Sequence, residues 1–138
     1  MRGVAVVAAL VVLAPAAATA APPLRITALR VLQADGRTSA PQPLRRGHRY
    51  VYRLDYRVGG RTEVRIRRAG TLISPYGDHL VEIRPPASLA DPGRLYASGP
   101  IVIRQDDSPG DYVLRYVVSA RDRTGVTRRT REVRLRFR

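Results

Sequence analysis

Serine, aspartate and histidine come close together at Ser74, Asp78 and His79, the residue types of a hydrolytic triad. A triad needs a base held against a nucleophile and oriented by a third group. Adjacent residues such as Asp78 and His79 rarely aim their side chains at one another, and no Gly-x-Ser-x-Gly elbow surrounds Ser74. These residues are expected in a loop, and the chain is expected not to be an enzyme. The only other histidine, His48, is too distant in sequence to suggest a metal pair, and there are no cysteines. That excludes thiolate nucleophiles, thiolate metal sites, disulfides and a lipid-modified N-terminal cysteine. No cofactor is expected. Asp106, Asp107 and Asp111 could offer oxygen ligands to Ca²⁺, but Asp and Gly are also ordinary turn residues, and the sequence leaves that choice open.

Two richer populations remain. Tyr50, Tyr52, Tyr56, Tyr112 and Tyr116 could stack sugars or bases, yet their parity with Leu54 and Leu114 assigns them to a core face. The other population is arginine. All 25 basic residues are Arg, against 11 acids, for a formal charge of +14. A GC-rich coding bias accounts for Arg in place of Lys but not for the shortage of acids. Net charge of this size speaks to partners and solubility, not to fold.

The elements that must position these residues are strands. Arg49 to Val58 alternates, with Tyr50, Tyr52, Leu54, Tyr56 and Val58 on one face and Arg49, Arg53, Asp55 and Arg57 on the other. Gly59-Gly60 predicts a tight hairpin into a strand from Thr62 to Arg68, making these two strands antiparallel neighbours. An earlier strand is expected over Leu24 to Leu32, followed by loop to Pro43. Short strands are expected over Thr71 to Ser74 and His79 to Arg84, then edge strands and loops among Pro85, Pro86, Pro92 and Pro100. Ile101 and Ile103 are expected to open a strand. Tyr112, Leu114, Tyr116 and Val118 line the next, and Val133, Leu135 and Phe137 the last. No apolar stripe runs at helical spacing, so the class is all-β, a sandwich or barrel of seven or eight strands.

Residues 1–20 read as a secretory signal peptide, with Arg2, an apolar run from Gly3 to Leu13, and Ala18-Thr19-Ala20 before the cut. Residues 21–138 would then be one domain in the periplasm or outside the cell.

The run Ser108-Pro109-Gly110-Asp111-Tyr112 through Gly125, with its alternating final strand, resembles the last hairpin of bacterial immunoglobulin-like and fibronectin-type-III-like modules, where a Pro-Gly-x-Tyr turn opens the penultimate strand. The resemblance implies a single immunoglobulin-like antiparallel β-sandwich with Tyr112 buried where the strand begins. A copper-binding periplasmic family has a related ending, but its histidines, at the mature N-terminus and near the last turn, are missing here. In the implied fold the third, penultimate and last strands share a sheet. Its outer face would collect Arg65, Arg67, Arg115, Arg134 and Arg136 around Val113 and Val117, offset only by Glu63 and Glu132. The function expected from this face is a non-enzymatic binding or structural module docking on an anionic envelope polymer or lipid, or on an acidic exported protein. Nucleic acid is disfavoured by compartment. The alternative is an accessory subunit or inhibitor that binds another exported protein through edge strands and loops, its charge serving only solubility.

Overall fold

Alternation of apolar and polar residues decides the structure. In the computed structural model of the protein, which describes residues 21–138, every long stretch with a period of two is a strand and no helix forms. The strands are β1 (Leu24–Gln33), β2 (Arg49–Val58), β3 (Val64–Ile73), β4 (His79–Ile83), β5 (Ser88–Ala90), β6 (Gly93–Val102), β7 (Gly110–Asp122) and β8 (Gly125–Phe137). The expected signal peptide, residues 1–20, lies outside the described residues.

Two antiparallel sheets result, a smaller one ordered β1-β2-β6 and a larger one ordered β4-β3-β7-β8, with β5 also pairing with β3. They stack as a β-sandwich. Leu54 from one sheet and Leu114, Val118, Ala120 and Leu135 from the other are wholly buried between them. Apolar burial of this kind is worth about 25 cal/mol per Å² removed from water, and it is what holds two such sheets together.

Aromatic residues fill the interior as their parity foretells. Tyr52, Tyr56, Tyr112 and Tyr116 are buried and Tyr50 is half-buried. Tyr52 and Tyr116 meet across the sandwich with ring centroids 5.1 Å apart, and the Tyr116 hydroxyl donates to the Tyr52 hydroxyl at 2.5 Å. Each ring lies over a glycine of its neighbouring strand. A Cβ on Gly70 would stand 2.6 Å from the Tyr116 ring, and one on Gly99 would stand 2.8 Å from the Tyr52 hydroxyl. Tyr112 is buried at the beginning of β7 as expected, its hydroxyl donating to the Ser108 carbonyl at 2.5 Å.

Three strand expectations need correction. β2 and β3 are not hairpin partners. β1 and β6 already occupy both edges of β2, down to Val58, so the chain must leave the sheet. It crosses to the other layer through Gly60, whose φ of 115° suits glycine. Secondly, β3 is continuous from Val64 to Ile73, since Gly70 lets the strand pass under Tyr116 where a break was expected. Thirdly, Ile101 is the penultimate residue of β6 and Ile103 lies beyond its end, so neither opens a new strand, and β6 runs through Pro100 because it lies at a sheet edge. The stretch before β2 also does more than loop. Leu44 bonds to Arg136 and Arg138 through the backbone, while the Gln42 amide donates to the Arg134 carbonyl and accepts the Arg136 N–H, so residues 42–44 cover one end of the β8 edge.

Candidate binding face of the larger sheet

β3, β7 and β8 lie side by side in one sheet, so their outward residues form transverse rows. Arg65 faces Arg121, which faces Val126. Next come Arg67, Ser119 and Arg128, then Ala69, Val117 and Thr130. Farther along, Thr71, Arg115 and Glu132 form a row, followed by Ile73, Val113 and Arg134, and finally Asp111 and Arg136. All five arginines expected on this face are therefore on it, with Val113 and Val117 among them.

Their electrostatic states divide them. The Arg115 side chain bonds Glu132 at 2.6 Å, and Arg136 bonds Asp111 at 3.0 Å. The Arg136 hydrogen bond holds the Asp111 carboxyl below its ordinary range, and Asp111 in turn raises the already high pKa of Arg136. Arg65 and Arg67 have no ion-pair partner among the described residues, and the same is true of Arg121, Arg128 and Arg134. The expectation that only Glu63 and Glu132 offset the face is corrected. Asp111 belongs to it through the β7–β8 register, and Glu82 on β4 lies opposite Thr71.

Positive charge thus concentrates at one end of the sheet. There an open groove of about 790 Å³ is floored by Ala69, Val117 and Ser119 and flanked by Arg65, Arg67 and Arg128. Pro85 and Pro86 form its far wall beside Arg84, which pairs with Glu82 at 3.1 Å. Small floor residues leave room between the guanidinium groups. Arg121 and Arg128 share outward parity with Arg115 and Arg134, so the alternation of β7 and β8 carried the signal for both. Arg84 arrives through the pairing of β3 with β4, which no local pattern announces.

The remaining sequence candidates have structural partners. The Ser74 hydroxyl accepts the N–H groups of Tyr76 and Asp78, and the Ser74 N–H donates to the Asp78 carbonyl. The three triad types therefore build the turn into β4, with His79 exposed at its start. His48 is exposed near Arg45 and Arg138. The carboxylates considered for calcium are turned to separate tasks. Asp106 pairs with Arg104, Asp107 accepts the Arg104 N–H, and Asp111 pairs with Arg136. No cluster of three potential metal ligands occurs among the described residues.

No protein-family model matches the chain, and no curated protein matches it in sequence. Among solved structures it is similar to the crystal structure of the C-terminal domain of wzt, with a TM-score of 0.63 and 14% identity over 83% of this chain and 73% of that one. That likeness is one of fold: both are β-sandwich domains of comparable extent.

Proposed function

We propose that the protein is an exported, non-enzymatic binding module that docks on a polyanionic component of the cell envelope through the arginine groove of its larger sheet. The observation that carries this reading is the cluster Arg65, Arg67, Arg121 and Arg128 without acidic partners, two of them directly opposite one another. Like charges opposite each other in a sheet destabilise it, and a bound anion removes that cost. Arginine suits the task because its planar fork bonds phosphate or carboxylate through two parallel donors.

Binding of the purified protein to lipopolysaccharide and to anionic phospholipid vesicles, across a salt series, tests the reading. Affinity is expected to fall steeply with salt, as exposed charge contacts are screened within about 8 Å at physiological ionic strength. Changing Arg65, Arg67, Arg121 and Arg128 together to Ser should weaken binding at least roughly tenfold, since each charge-assisted hydrogen bond contributes about 1.5–3 kcal/mol. The Arg115→Ser and Glu132→Ser pair, which removes a matched ion pair and leaves the net charge unchanged, should bind nearly as the parent does. Equal binding by all three proteins would overturn the assignment. A second reading, strand addition by a protein partner, is favoured by β4, an edge strand with Leu80 and Val81 exposed at 43% and 47%. Backbone pairing of that kind would persist in high salt.

A further inference from the structure

The smaller sheet carries a second constellation, on the opposite side of the sandwich from the groove. Arg25 on β1 lies in register with Arg57 on β2, and Arg57 with Arg94 on β6. Three arginines therefore stand abreast on strands spaced about 4.8 Å apart, all exposed, and none has an ion-pair partner among the described residues. Such a row works against the sheet that bears it.

The neighbouring row is of a different kind. Asp55 is paired with Tyr96, and its carboxylate accepts from Arg30 at 3.2 Å and from Arg53 at 3.1 Å. Tyr96 is 61% exposed, and the Arg53 guanidinium sits 4.5 Å from its ring centroid. β1 bulges beside this row, where the register shifts between Ile26 and Ala28 and the Thr27 hydroxyl donates to the Asp55 carbonyl at 3.1 Å. Bulges commonly re-aim side chains next to functional sites. Here the bulge and the small Ala28 accompany a hollow of about 450 Å³ bordered by Arg30, Asp55, Arg57 and Arg94.

From this arrangement we infer that the outer face of the smaller sheet binds a pyranose bearing a carboxylate or phosphate. The anion lies on the Arg25–Arg57–Arg94 ladder, hydroxyls donate to Asp55 in the hollow, and the apolar face of the ring stacks on Tyr96. An acidic peptide would use the ladder but has no call on both the ring and the carboxylate beside it.

Backbone amide NMR of the purified protein tests this site apart from the groove. The probes are a galacturonate tetramer, glucose 6-phosphate, a neutral galactose tetramer and a hexaglutamate peptide. Galacturonate or the sugar phosphate should shift amides of β1, β2 and β6 around Arg57 and Tyr96. The neutral sugar should bind at least tenfold more weakly. Tyr96→Ala should weaken the acidic sugar tenfold or more while Tyr96→Phe retains it. The Arg57→Ser and Arg94→Ser pair should erase the preference for acid over neutral sugar. The Arg65→Ser, Arg67→Ser and Arg128→Ser triple should leave these shifts unchanged even if it abolishes envelope binding. The inference is overturned if neither acidic sugar shifts these strands in a folded sample, if the acidic sugar shifts these strands of Tyr96→Ala with the parent's affinity, if hexaglutamate shifts these strands as strongly as the sugars do, or if the triple variant removes the shifts.

Discussion

Tyr116 and Tyr52 share a hydrogen bond in the middle of an apolar interior, and that bond ties one sheet to the other at a single point. Removing one hydroxyl leaves the other buried without its partner, which costs about 1–3 kcal/mol. Tyr116→Phe should therefore lower stability by about that amount, measurable as a reduced urea midpoint with an unchanged slope. Gly70→Ala addresses the same pair from the backbone side. Its methyl would stand 2.6 Å from the Tyr116 ring, a separation that forces the ring or the strand to move. Overpacking of this kind costs about 1–3 kcal/mol. The two changes act on one ring, so together they should cost less than their sum. Full additivity in the double variant would show that Gly70 acts through something other than Tyr116.

Among the elements, the β7–β8 hairpin was the most legible. Its alternation of Tyr112, Leu114, Tyr116 and Val118 with outward residues fixes both faces, and with them the placement of Arg115, Arg134 and Arg136. What local patterning did not contain was the partner of each strand. Gly59-Gly60 has the composition of a hairpin turn, but whether β2 pairs with β3 depends on β1 and β6 having taken its edges, a competition among distant segments. The same limit hid Arg84 from the groove and the three-arginine register from the smaller sheet, because both depend on long-range pairing. Tyr96 was obscured differently, since its neighbours Leu95 and Ala97 are inward residues of a strand punctuated by Pro92 and Pro100. The segment before β2 is a further case, because Gln42 imitates a strand with its amide. Gln42→Ala should speed exchange of the Arg136 amide several-fold while leaving amides at the centre of β7 unchanged. Equal acceleration in both strands would mean that the amide supports the whole sheet and not only its edge.

For the molecule as a whole, charge and burial together set the pH range over which it is stable. The chain's formal +14 less Arg2 leaves +13 on residues 21–138, and self-repulsion of this size opposes the compact state. At the acid end, Asp35, Asp111 and Asp122 are held below the ordinary 3.8, chiefly by side-chain hydrogen bonds from Thr38, Arg136 and Thr124 respectively. A carboxyl with a lowered folded pKa contributes stability that is present above its unfolded value and lost as pH falls through the folded one. The melting temperature should therefore hold from neutrality down to about pH 4 and drop below it. Salt should soften that drop by screening the net positive charge. At the alkaline end, burial raises the Tyr116 hydroxyl, with the Tyr52 hydrogen bond adding to it, and burial raises Tyr112 as well. An unfolded tyrosine ionises near 10.0 whereas these two hold their protons to higher pH in the fold, so their contribution is intact below that pH and declines above it. The melting temperature measured from pH 8 to pH 11.5 tests this. Because burial disfavours the ionised form of both hydroxyls, a fall beginning near pH 10 is expected. In Tyr116→Phe the same fall should be shallower, because one of the two groups that resist ionisation is gone.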